Sequence, residues 1–155
     1  MESQIRNVAA EDIPGLKEVL DSSELFPSEY LDDMISSYLT NPDSEEVWFV
    51  KVDNGLILAM GFCAPEKLTE GTYNLYALAV RKELQGQGIG REMMAYIESY
   101  LKDKSKRLLI VETSSDAQFE LTRRFYSKLE YCHEATIRNF WKEGDDKVIF
   151  SKKLD

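Results

Sequence analysis

The stretch Gln85-Gly86-Gln87-Gly88-Ile89-Gly90-Arg91 constrains the fold of this chain more than any other. It follows an apolar run, Leu75 to Val80, and opens a helical pattern in which Ile89, Met93, Ile97 and Leu101 recur every fourth residue. A strand of the buried type is thus joined to an amphipathic helix through a glycine-rich turn. Glycines at such a junction let backbone N–H groups approach an anion without interference from a Cβ. The helix start adds four unpaired N–H groups and the positive end of its dipole. Together these features make a phosphate site. A dinucleotide fingerprint requires a third glycine where Arg91 stands, and a P-loop requires Lys-Ser/Thr where Arg91-Glu92 follows Gly90. The glycines alone leave open a plainer alternative, a tightly packed helix start with no ligand.

At 155 residues the chain is expected to form one domain spanning 1–155. Hydrophobic residues make up 43% and charged residues 30%, the balance of a soluble globular protein. No apolar run approaches the ~20 residues that cross a bilayer, so no membrane association is expected. The opening MESQIRNVAAED carries acids and no apolar core, unlike a secretory signal, and a cytoplasmic location is the expectation. Cys63 and Cys132 form neither a disulfide framework nor a metal pattern, and no metal is expected. Each lies in a predicted strand as a small buried hydrophobe. The net charge of −9 disfavours nucleic acid as a partner. It favours a cationic substrate such as an amine, although net charge serves solubility equally well. Lys102, Lys104, Lys106, Arg107, Arg123, Arg124 and Lys128 concentrate in the C-terminal half, as phosphate contacts or as a solvated face.

Hydrophobic period and turn chemistry set the order of elements. A short strand over Gln4–Val8 precedes a helix from Ala10 with Ile13, Leu16, Val19 and Leu20 on one side. A second helix, N-capped by Ser28, has a broad apolar face of Tyr30, Leu31, Met34, Ile35, Tyr38 and Leu39 and ends at Asn41-Pro42-Asp43. Val47–Val52 and Leu56–Ala64 flank the hairpin signal Asn54-Gly55, and Thr72–Val80 completes an antiparallel meander. The glycine loop and a helix over 88–103 come next. A strand at Arg107–Val111, a helix at about 117–129, and strands at Ala135–Trp141 and Lys147–Phe150 close the chain. The expected fold is α+β, an α/β sandwich with a mixed central sheet of about six to seven strands flanked by about four helices.

The stretch YALAVRKELQGQGIGREMM resembles the acyl-CoA-binding signature of the GCN5-related N-acetyltransferases, the GNAT superfamily, with Gln85, Gly88 and Gly90 at its fixed positions. TRRFYSKLEY resembles the same family's second coenzyme-binding motif. The order of elements matches that fold. The resemblance implies an enzyme, an N-acetyltransferase that moves the acetyl group of acetyl-CoA to a primary amine by direct attack in a ternary complex. It implies that Leu78, Ala79 and Val80 hold the pantetheine arm on a strand parted from its neighbour. One backbone N–H there, that of Leu78, faces the thioester oxygen. The loop Gln85, Gly86, Gln87, Gly88, Ile89, Gly90 and Arg91 holds the pyrophosphate. Tyr126 matches the tyrosine placed beside the coenzyme sulfur, as general acid toward the leaving thiolate. With a phenol near ~10 and a thiol near ~8.5, complete proton transfer is uphill by about 2 kcal/mol. A strengthening hydrogen bond serves as well. Tyr126 as a core aromatic is the alternative. Dimers are frequent in the family, and no residue here fixes one.

Two departures stand out. Phe119 replaces an asparagine, and Asn74 replaces a glutamate that serves many members as general base. An amide takes no proton at neutral pH. Glu112, Asp116, Glu66 and the single histidine, His133, are candidates to replace it, beside a water relay or an amine that is already neutral. Asn74 also supports the alternative of a non-catalytic acyl-CoA-binding or sensing domain. The acceptor pocket is expected from the first two helices and residues 135–146, with Tyr30, Tyr38, Phe140 and Trp141 as lining or core.

Overall fold

The computed structural model describes residues 3–155, in which a seven-stranded sheet separates two helical layers. The elements are β1 (Gln4–Asn7), α1 (Ile13–Ser23), α2 (Leu31–Thr40), β2 (Val47–Asp53), β3 (Leu56–Pro65), β4 (Thr72–Val80), α3 (Ile89–Asp103), β5 (Leu108–Ser114), α4 (Glu120–Lys128), β6 (Cys132–Lys142) and β7 (Asp145–Lys153). The strand order is β1-β2-β3-β4-β5-β7-β6. All neighbours are antiparallel except β4 and β5, which run parallel because α3 crosses between them.

Both faces of the central strands are covered, which explains their unbroken apolar runs. Along β2, Trp48 and Val50 join Leu16, Leu20, Leu31 and Ile35 of α1 and α2. Val47 and Phe49 turn the other way, onto Met93, Ile97 and Leu101 of α3. The sheet therefore carries two separate cores, one per face. The first helical segment starts with a 3-10 turn, Ala10–Asp12, rather than an α-helix. Asp12 fixes that entry by accepting the Ala9 N–H at 2.8 Å and a fork from Arg6 at 2.8 and 3.0 Å.

Three sequence expectations need correction. Ser28 makes no side-chain cap; it begins a 3-10 turn and the α-helix starts at Leu31. β6 reaches back to Cys132, whose side chain is exposed because β6 is an edge strand open along its length. Only Cys63 is the expected buried hydrophobe. β5 extends three residues beyond Val111, its polar end held by antiparallel pairing with β7 down to Ser114 against Lys147.

Two irregularities of β4 open the middle of the sheet. Parallel pairing of β4 with β5 covers Thr72–Leu75 against Leu108–Val111 and stops there. Tyr76–Val80 and Glu112–Ser114 then part. On the other edge of β4, the register against β3 steps from Cys63–Leu75 to Phe62–Ala77, leaving Tyr76 as the extra residue of a β-bulge.

Candidate active site

The parted edge of β4, the glycine loop, the start of α3 and one side of α4 enclose a cleft of about 530 Å³. Its lining includes Leu78, Val80, Gln85, Gly86, Gly88, Ile89, Gly90 and Arg91 from the sequence-predicted set, together with Tyr126. Leu84, Leu121, Thr122 and Phe125 complete it. Leu78 and Val80 face the α3 side of the sheet, while Ala79 is buried in the opposite core. Ala79 thus offers the cleft only backbone, and Gln87 does not line it.

Backbone geometry at the loop requires glycine. Gly86 and Gly88 have φ of +83° and +88°, and Gly88 caps α3. A Cβ built on either would meet nothing within 4 Å, so open space lies on that side of the loop. The first amide of the turn with an acceptor in the chain is Glu92, to the Gly88 carbonyl at 3.1 Å. The N–H groups of Ile89, Gly90 and Arg91 precede it, at the helix's positive end. Gln85 turns inward: its Nε2 donates to the Val80 carbonyl at 3.1 Å and ties loop to strand. None of the seven C-terminal basic residues is among the cleft-lining residues. Arg123 holds the Ser114 and Asp116 carbonyls, and Arg124 pairs with Glu120.

Tyr126 closes the deep end of the cleft, 5% exposed and packed edge-on against Phe125 and Tyr131. Its hydroxyl has no hydrogen-bond partner among the described residues, and Tyr126 belongs to the cleft lining. Burial pushes its phenol well above the ordinary tyrosine value, and the nearby Cys63 thiol adds to this. A phenol so raised stays protonated, keeps its O–H available as a donor and surrenders the proton reluctantly.

The other face of the same strand carries a polar cluster that the sequence does not reveal. Asn74 is buried, and its Nδ2 donates to Glu66 Oε1 at 2.9 Å. The Tyr76 hydroxyl donates to the same oxygen at 3.1 Å. The Tyr76 ring lies 5.6 Å from Phe62, which belongs to the α1–α2 core. Burial, then the charge and hydrogen bond of Glu66 and the charge of Glu112, push the Tyr76 phenol up to about 12. Glu112 is paired with Lys147 at 2.8 Å, and Lys147 lies 4.1 Å from the Phe140 ring centre. Phe140 and Trp141 are half-exposed beside it.

The remaining candidates are engaged elsewhere. Asp116 accepts from Gln118 at the start of the turn leading to α4. His133 bonds Thr136 within edge strand β6. Tyr38 anchors α2 to the chain through the Val8 carbonyl at 2.7 Å, which makes it a packing residue.

A family model described as an acetyltransferase (GNAT) domain matches residues 43–133, from before β2 to the start of β6. An uncharacterized N-acetyltransferase of Methanocaldococcus jannaschii is 29% identical over 86 residues, which are 54% of this chain and 53% of that protein. N-alpha-acetyltransferase 30 of Schizosaccharomyces pombe is 24% identical over 137 residues, 78% of this chain and 90% of its own. The crystal structure of a Desulfovibrio desulfuricans protein, assigned to the GNAT family of acetyltransferases, superposes with a TM-score of 0.90 at 27% identity. That alignment covers 99% of this chain and 100% of the other. The matched segment holds the glycine loop, the parted strands and Tyr126, and on it this chain belongs to the GNAT acetyltransferase family.

Proposed function

We propose that this protein is an N-acetyltransferase that moves an acetyl group from acetyl-CoA to a primary amine within a ternary complex. The observation that carries this reading is the cleft itself. A left-handed glycine loop and a helix N-terminus stand at one end, an unpaired strand edge runs along its wall, and an unpartnered tyrosine hydroxyl lies at the deep end. These groups fit coenzyme A: anionic phosphates at the helix start, an amide-bearing arm along a strand that lacks a neighbour, sulfur at the phenol.

Acetyl-CoA supplies the activated acyl carbon when bound. Backbone N–H groups of residues 86–91 hold the pyrophosphate, with Arg91 beside them. The edge of Leu78, Ala79 and Val80 aligns the pantetheine amides, and the Leu78 N–H stabilises negative charge growing on the carbonyl oxygen. Tyr126 donates a hydrogen bond that strengthens as charge develops on sulfur. The acceptor amine enters from the α1–α2 face, past the carboxylate of Glu66, which suits a cationic amine.

The test has two steps. Acetyl-CoA at 100 times its dissociation constant should stabilise the fold by about 2.7 kcal/mol in urea denaturation. Mass-spectrometric detection of acetylated product from a panel of primary amines should then succeed. Absence of stabilisation sinks the cofactor site. Stabilisation without any product favours the second reading, a non-catalytic acyl-CoA-binding domain, which the amide of Asn74 supports.

A further inference from the structure

We propose that Glu66 takes the proton from the acceptor amine, and that Asn74 and Tyr76 are the positioning residues that hold its carboxylate. The proposal rests on the acetyltransferase reading and identifies its base. Three observations lead to it.

The first is place. β4 has two faces, and the point where it leaves β5 joins them. Leu78 faces the coenzyme cleft, while Asn74 and Tyr76 belong to the opposite face. Tyr76 stands two residues before Leu78, about 7 Å along a strand. The bulge at Tyr76 is what turns this side chain outward, over the opening, rather than into either core. Glu66 follows the end of β3, and its carboxylate reaches back over both residues. That places the carboxylate on the α1–α2 side of β4, two residues from the cleft-facing Leu78.

The second is orientation. Both donors, Asn74 Nδ2 at 2.9 Å and the Tyr76 hydroxyl at 3.1 Å, bind Oε1. Oε2 has no hydrogen-bond partner among the described residues, so one oxygen is anchored and the other is available. A general base needs this combination of fixed geometry and a free lone pair. Asn74 cannot accept the proton itself, but a buried amide with its N–H₂ on a carboxylate fixes that carboxylate in place.

The third is availability among rivals. Glu112 is already neutralised by Lys147 at 2.8 Å. Asp116 is engaged by Gln118, and His133 lies on the far edge strand. Glu66 is half-buried and makes no ion pair among the described residues.

The ammonium of the acceptor loses one proton to Glu66 Oε2, directly or through one water, and Glu66 returns it to solvent. The freed lone pair forms the C–N bond to the acyl carbon, and the C–S bond breaks with its electron pair on sulfur. The second nitrogen proton leaves to solvent as the amide forms. The sulfur ends as a thiol: the Tyr126 hydrogen bond holds its growing charge, and solvent supplies the proton. One acetamide, one thiol and one released proton balance one ammonium and one thioester.

The test compares pH profiles of kcat/KM for wild type and Glu66→Gln. The probes are an alanine-initiated peptide amine, an N-blocked lysine peptide, spermidine and kanamycin. A peptide α-amine and a lysine side chain differ by about 2.5 units in pKa. In wild type, two such acceptors should share one inflection, set by the enzyme. In Glu66→Gln each inflection should move to the acceptor's own pKa, and the rate at pH 7 should fall about 10²-fold. Acetyl-CoA affinity by calorimetry should stay within twofold. Glu66→Gln/Asn74→Glu exchanges the two partners and should restore the shared inflection. Asn74→Ala and Tyr76→Phe should lower the rate less, keeping that inflection. A Glu66→Gln profile that overlays wild type overturns the proposal, as does a wild-type inflection that follows each acceptor. So does bound acetyl-CoA with no panel member turned over. Failure to bind acetyl-CoA instead removes the underlying acetyltransferase reading.

Discussion

At the scale of single residues, the site rests on groups left incomplete. Tyr126 is enclosed by aromatic rings, yet its hydroxyl has no partner among the described residues. With its phenol raised by burial, transfer of the proton to a thiolate is further uphill than for a free tyrosine, so its contribution is hydrogen bonding to growing negative charge. Tyr126→Phe keeps the ring packing and removes only the hydroxyl. It should lower kcat by about 10²-fold or somewhat less, the lower end for a positioned proton donor, and leave acetyl-CoA affinity within a few-fold. An unchanged kcat, with chemistry shown to limit the rate, would reduce Tyr126 to a core aromatic. Asn74 shows the reverse case. From its own residue type it signals a lost base, and only its 2.9 Å contact points to Glu66 as the carboxylate that stands in.

At the scale of elements, the strand–loop–helix unit of β4 and α3 carries the proposed anion site. Gly88 caps α3 with φ of +88°, a conformation in which a β-branched residue is a strong outlier. Gly88→Val therefore distorts the loop even though nothing in the chain occupies the space its Cβ would enter. Isothermal calorimetry on the folded variant should show acetyl-CoA affinity reduced at least tenfold, since both the N–H direction and the space for phosphate are lost. Unchanged affinity would remove the loop from the coenzyme site. This unit is legible in the sequence because its signals are local: glycine spacing, a four-residue apolar period and a preceding apolar run. The meander is legible for the same reason, through Asn54-Gly55 and alternating or continuous apolar runs. The bulge at Tyr76 and the early end of β4–β5 pairing are not, because each is set by a partner strand distant in sequence. The Glu66 cluster is hidden likewise. Residues 66, 74 and 76 come together only through the register of Ala64 with Asn74. The exposure of Cys132 escapes a sequence reading because nothing local separates an edge strand from a central one.

At the scale of the whole molecule, the sheet divides two cores, and the proposed reaction brings coenzyme to the α3–α4 face and amine to the α1–α2 face. That partition places many tyrosines at borders between core and solvent, and it sets how stability responds to pH. Burial, the largest cause in each case, raises Tyr73 and Tyr76 to about 12 and raises Tyr38, Tyr126 and Tyr131 as well. In Tyr131 the hydrogen bond to Glu98 at 2.7 Å adds to burial. A phenol with a raised folded-state pKa holds its proton more tightly when folded. Its stabilisation is complete below pH ~10 and is lost as pH rises through the folded-state value. The slope is at most about 1.4 kcal/mol per pH unit for each buried tyrosine. Asp12, held low by the Arg6 hydrogen bonds, gives the opposite limb: its stabilisation is lost as pH falls through its depressed value. Urea midpoints should therefore be flat from pH 6 to 9 and fall steeply from pH 10 to 11. Growing negative charge on a chain already at −9 acts in the same direction, so the tyrosine share needs a variant to isolate it. Tyr131→Phe removes one hydrogen bond to Glu98, which keeps Lys152 at 2.9 Å as its charge partner. The variant should be less stable at pH 7 by about 1 to 2 kcal/mol, and the gap to wild type should narrow between pH 10 and 11. A constant gap across that range would show that Tyr131 does not contribute to the alkaline limb, leaving the decline to net charge and the remaining tyrosines.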